Sequence, residues 1–143
     1  MKRRHFVAGG IAATTGMLRS PSLIAEPRGR PTVLSVGGDC VITRQVNRSG
    51  DDRFASVARI FRDADVGIAA CAMSFGDAAA LEPAPKGIDT NLICSSAGAN
   101  DLAWMGIDLI SCATNHALDY GAAGLVSTLQ NLQRAGISVA GAG

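Results

Sequence analysis

"IDLISCATNHALDYGAAGLVSTLQNLQRAGISVAGAG", residues 107–143, decides the fold. "IDLISCA" is a short apolar run bounded by turn residues and reads as a strand. "GAAGLVSTLQNLQRAG" places Leu125, Leu129 and Leu132 on one face, with Gly136 as the stop, and reads as a helix. "ISVAGAG" begins another strand. Strand, helix and strand in succession predict a parallel sheet with helical crossovers.

Working towards the N-terminus, the same alternation recurs. "TVLSVGGDC" (residues 32–40) reads as an apolar strand ended by Gly37-Gly38, with Asp39 at its mouth. "DRFASVARIFRDA" carries Phe54, Val57, Ile60 and Phe61 at helical spacing, with Asp51 or Asp52 as the N-cap. "DVGIAAC" is continuously apolar and reads as a strand buried on both faces. "MSFGDAAALEPAPKGIDTNLICSS" has no sustained period and contains Pro83, Pro85, Gly76 and Gly87, so it reads as one long loop. "AGANDLAWMG" follows as a short helix. The fold class is therefore α/β, with three helices against four strands. A parallel sheet requires cover on both faces, so this reads as an incomplete parallel-sheet sandwich.

The formal net charge of +1 conceals an asymmetry. Four of the thirteen cations (Lys2, Arg3, Arg4 and Arg19) lie in residues 1–25, which hold no acid. The rest carries nine cations against twelve acids, a balance of −3 without a basic stripe, which argues against nucleic acid as a partner. "MKRRHFVAGGIAATTGMLRSPSLIA" has a basic start, a weakly apolar stretch and a small residue, Ala25, at a cleavage position. Arg3-Arg4 followed by His5-Phe6-Val7 is similar to a twin-arginine export signal. The expectation is a signal over 1–25, a linker over 26–31 and a domain over 32–143, exported to the periplasm or cell envelope. The apolar stretch is too short and glycine-rich to span a bilayer, so no transmembrane helix is expected after signal removal.

Cys40, Cys71, Cys94 and Cys112 lack C-x-x-C spacing, which excludes zinc-ribbon and thioredoxin-like sites. Cys71 and Cys112 fall at or just past strand ends and are candidates for a disulfide; small buried hydrophobes are the equal alternative.

In an open α/β sheet, ligands bind beyond the carboxyl ends of the strands. Asp39 ends the first strand, and Asn115-His116 follow the third. A carboxylate, an amide oxygen and an imidazole delivered to one edge are candidate ligands for a divalent metal. Asp119 reads most simply as the N-cap of the helix starting near Gly121. Tyr120 packs over that turn, and Gly121 and Gly124 permit close backbone approach.

The segments Gly38-Asp39, Ala64-Asp65, Trp104-Met105-Gly106, Asn115-His116, Asp119, Gly121 and Gly141-Ala142-Gly143 occur in an order that resembles the capsule-synthesis family of CapA (PgsA) type. That family is implicated in poly-γ-glutamate capsule synthesis and export. The resemblance implies the first half of a metallophosphatase-like four-layer fold, because members of the family are longer. It also implies Asp39, Asn115 and His116 as metal-site residues, Asn115 and His116 as catalytic ones, and metal-dependent hydrolase ancestry. Implied partners are an anionic polymer, polyglutamate or capsule polysaccharide, or envelope synthesis proteins. Where the family pattern reads N-L-E, this chain has Ala70-Cys71-Ala72, so a carboxylate is replaced by a methyl group and the implied site is depleted. A non-catalytic polymer-binding accessory protein and a truncated inactive product are the alternatives.

Overall fold

A computed structural model of the chain describes residues 29–46, 52–85 and 90–142. The expected signal (1–25), the first half of the linker (26–28), Asp51, Gly87 and Gly143 lie outside the described residues. The chain divides into the units Met1–Arg30 and Pro31–Gly143, and every element below belongs to the second.

Among the described residues, six strands and three helices follow one another: β1 (Leu34–Cys40), α1 (Asp52–Arg62), β2 (Val66–Cys71), β3 (Ser74–Phe75), β4 (Ile93–Cys94), α2 (Ala97–Met105), β5 (Leu109–Ser111), α3 (Gly121–Arg134) and β6 (Ser138–Ala140). The main sheet is parallel throughout, in the order β1-β2-β5-β6, as the alternation of strands and helices requires. The result is a mixed α/β partial sandwich.

Two features differ from the sequence reading. The stretch from Met73 to Ser96 is not one loop: Ser74–Phe75 and Ile93–Cys94 pair as a second, parallel two-stranded sheet. Strands of two residues are too short to register as a period. What holds them is α3. Thr128 Oγ1 accepts the Phe75 N–H at 2.9 Å, and Ser127 Oγ donates to the Phe75 carbonyl at 2.8 Å. Nor is β2 buried on both faces. Gly67, Ala69 and Cys71 are buried, while Val66, Ile68 and Ala70 are only half-buried.

That alternation distinguishes the two faces of the main sheet. One packs on the helices. A Cβ at Gly37 would stand 3.0 Å from the Phe61 ring of α1, and one at Gly67 would stand 2.0 Å from the Gly106 carbonyl oxygen at the end of α2. Ala69, Cys71 and Ile110 fill this layer with Leu102, Met105 and Leu132. The opposite face presents Leu34 and Val36, 57% and 71% exposed, beside Val66, Ile68 and Leu109. Apolar residues in register across three strands leave this face only partly covered.

The expected apolar stripe of α1 is also split. Phe54 and Phe61 pack against the core, but Val57 and Ile60 are exposed. Phe54 stacks on Trp104 (centroids 6.1 Å apart), and the Arg62 guanidinium lies 3.9 Å above the Trp104 ring, with Nε donating to the Trp104 carbonyl at 2.7 Å. Trp104-Met105-Gly106 therefore ends α2 and ties it to α1, Gly106 taking the left-handed conformation (φ +91°) that stops a helix. Among the described residues, no helix is long and apolar enough to cross a membrane.

Candidate functional site

Because every strand of the main sheet is parallel, all its carboxyl ends open onto one edge. Asp39 is the penultimate residue of β1, paired with Ala70, and is exposed. Asn115 and His116 lie in the turn between β5 and α3. Strand β2 separates β1 from β5, so their axes lie two inter-strand steps apart, about 10 Å. All three predicted site residues are thus carried to the same edge.

The turn is anchored from both sides. Thr114 Oγ1 donates to the Cys71 carbonyl at the end of β2 (2.9 Å), and the Thr114 N–H donates to the Cys112 carbonyl (2.9 Å). The turn then leads into α3, with Gly121 at φ +61° and Gly124 pressed against Tyr120; a Cβ at Gly124 would stand 2.4 Å from the Tyr120 Cβ. Gly124 is closely approached by Tyr120, as the sequence implies, whereas nothing lies within 4 Å of a Cβ at Gly121, whose glycine answers to its positive φ instead.

Asp119 does not. The residue preceding α3 is Tyr120, and no side chain caps that helix. The Asp119 carboxylate instead turns inward, fully buried, and its Oδ2 lies 2.8 Å from His116 Nδ1 while accepting the Leu92 N–H at 2.6 Å. Two donors from segments far apart in the chain compete successfully with the local helix N–H groups, because burial makes an unmet polar group costly. The Asp119 carbonyl also accepts the Ala84 N–H (2.8 Å), and Asn91 Nδ2 donates to the Ala84 carbonyl (2.8 Å). Ala84 and Leu92, on the stretch between β3 and β4, are thereby tied to the turn through Asp119.

This clasp sets the chemistry of His116. A carboxylate oxygen only accepts, so Nδ1 carries the proton and Nε2 of the neutral ring is left with its lone pair. The imidazole is 18% exposed and the carboxylate 0%, so Asp119 is the buried support and His116 the group that meets a ligand. A histidine fixed through one nitrogen by a carboxylate is suited to metal ligation, or to proton transfer, through the other. Asp119 is the residue whose place in the candidate site the N-cap reading missed. Its spacing from His116, H-x-x-D, was the available signal.

The remaining donors are few. Ala72, where the resemblance implies a carboxylate, is 2% exposed, and its N–H donates to the Cys40 carbonyl at 3.2 Å. Burial, and secondarily the charge of Asp39, pushes the Cys40 thiol above its usual range, so it stays protonated rather than acting as a thiolate ligand. No group of three or more His, Cys, Asp or Glu side chains is gathered around a metal position among the described residues. Asp39, Asn115 and His116 are one carboxylate, one amide and one imidazole, ligand types that a divalent cation takes.

A cavity of about 480 Å³ opens elsewhere, beyond the ends of β3 and β4, lined by Gly76, Asp77, Cys94, Ser95 and Ser96 among others. None of the predicted site residues lines it, and the candidate site is the strand-end edge.

Residues 33–143 match the model of a protein family described as bacterial capsule synthesis protein, PGA_cap. No curated protein matches the chain.

Proposed function

The chain belongs to the bacterial capsule synthesis protein family and so has a role connected with capsule synthesis, and from that premise we propose that it is an exported protein acting on an anionic capsule polymer of the poly-γ-glutamate type. The observation that carries the proposal is the His116–Asp119 clasp, which holds Nδ1 on a buried carboxylate while the imidazole stays 18% exposed. Asp39, Asn115 and His116 would hold a divalent cation there. When bound, such an ion supplies positive charge and lowers the pKa of a coordinated water.

The chain's own residues define the rest. Asp119 holds the ring in one tautomer. Asn115 offers an amide that can orient a carboxylate or phosphate-like oxygen. A chain with a balance of −3 beyond residue 25 repels a polyanion, and a cation-loaded edge resolves that conflict. The buried methyl of Ala72 favours a second reading within the same family, in which hydrolase ancestry persists as fold and the edge binds polymer without turnover.

The test is metal uptake. Purified chain incubated with manganese and dialysed should retain about one ion per chain, and His116→Ala should weaken retention about 10-fold or more. Absence of retained metal in the unaltered chain would overturn the cation site. Retention of poly-γ-glutamate by the loaded chain, without cleavage products and reversed by a chelator, selects the non-catalytic reading.

Export through the twin-arginine route to the periplasm or cell envelope is part of the proposal and rests on Arg3-Arg4 and the sequence around Ala25. Replacing both arginines by lysine should leave the full-length precursor in the cytoplasm. Processed protein in the envelope fraction of that variant would exclude this route.

A further inference from the structure

Three of the four cysteines line up across adjacent strands. Cys40 of β1 pairs in register with Cys71 of β2. The β2–β5 register, with Ala70 opposite Ser111, makes Cys112 the next neighbour of Cys71 on its other side. Adjacent strands stand about 4.8 Å apart, within the Cα separation of about 4.4–6.8 Å that a disulfide spans. Cys71 and Cys112 are each 2% exposed, whereas Cys40 is half-buried. The Cys71 Sγ donates to the Met73 carbonyl at 3.2 Å, and the closeness of the two thiols pushes Cys71 up and Cys112 down from the usual thiol range. Cys94 belongs to the other sheet and packs against Gly98 and the α2 end of the core.

We propose that Cys71 and Cys112 form a reversible disulfide that staples the exit of β2 to the turn carrying Asn115 and His116. The oxidant is a low-molecular-weight disulfide, reacting by exchange. The Cys112 thiolate attacks one sulfur of the oxidant, breaking its S–S bond and releasing one small thiolate. Cys71 gives up its proton and attacks the Cys112 sulfur of the mixed disulfide, releasing the second. Two protein thiols are oxidised, and one small disulfide is reduced to two thiols. Both cysteines lie at the ends of their strands, so local opening at 112–114 suffices to admit the oxidant.

The bond acts on the site through its neighbours. Thr114 already joins the two segments: its Oγ1 donates to the Cys71 carbonyl, and its N–H to the Cys112 carbonyl. Oxidation makes that junction covalent only three residues before Asn115.

The full chain incubated with oxidised glutathione, alkylated without reduction and digested with trypsin and chymotrypsin tests the pairing. Cleavage at Trp104 separates Cys94 from Cys112. The expected product links the Cys71 and Cys112 peptides, with Cys40 and Cys94 alkylated. A Cys40–Cys71 link, or four alkylated cysteines, would overturn the proposal. Oxidised chain should also melt about 5 °C or more above the reduced form, because the crosslink restricts the unfolded chain. Dithiothreitol should return it to the lower value, and a melting point insensitive to reductant would count against the bond.

Discussion

Asp119→Ala will lower the stability of the domain by about 3 kcal/mol and detach the turn that carries His116. The estimate comes from two orphaned donors. Removing the carboxylate leaves the Leu92 N–H, bonded at 2.6 Å, and the His116 Nδ1 proton, bonded at 2.8 Å, without the oxygen they share. Each buried donor left unmet costs about 1–3 kcal/mol. Urea denaturation measures the loss. Asp119→Asn separates charge from volume, because the amide oxygen can still accept both donors but without the carboxylate's negative charge. It should retain most of the stability and yet disturb the ring, with the tautomer read from the nitrogen shifts of His116. An Asp119→Ala chain within about 0.5 kcal/mol of the parent would show that the clasp is incidental.

Gly67→Ala should be at least as damaging, for a reason unrelated to chemistry. The added Cβ would stand 2.0 Å from the Gly106 carbonyl oxygen, 3.0 Å from its carbon and 3.4 Å from the Ile107 Cα, all of them backbone. None can swing aside as a side chain would. Asp108 fixes the approach from both ends: its Oδ2 accepts the Gly67 N–H at 2.8 Å, and its own N–H donates to the Gly67 carbonyl at 2.8 Å. Separating β2 from the end of α2 should cost about 3 kcal/mol or more. Gly38→Ala is the matched control, since nothing lies within 4 Å of its Cβ position, and its cost should stay within about 0.5 kcal/mol. Thermal melts decide the matter, and equal melting points for the two variants would refute the close approach.

The contrast between these positions explains what could be read without coordinates. Four parallel strands and three helices were legible because each apolar run is long enough to carry a period, as Leu125, Leu129 and Leu132 do in α3. The β3–β4 pair was not legible: two residues have no period, and their partners, Ser127 and Thr128, lie more than 50 positions away. The position of Asp39, Asn115 and His116 at the carboxyl-end edge of the sheet could be read from their places at or after strand ends. Asp119 was seen but assigned to the helix, because a carboxylate two residues before Gly121 fits an N-cap by spacing alone. Its true partner, Leu92, is 27 residues upstream, within a segment whose prolines conceal any pattern. The outward Val57 and Ile60 were misread for a related cause: helical spacing marks an apolar stripe but not which part of it meets the core.

The order β1-β2-β5-β6 carries a consequence for how the molecule is made. Each strand of the main sheet lies beside the one that left the ribosome before it, with the β3–β4 pair as a side excursion. A growing chain can therefore extend the sheet in one direction, each new strand meeting an edge that already exists, without waiting for a distant partner. The His116 turn is among the last parts to be completed. It needs β5 in place beneath it, α3 behind it and Leu92 already delivered, so the site closes only as synthesis of this segment ends.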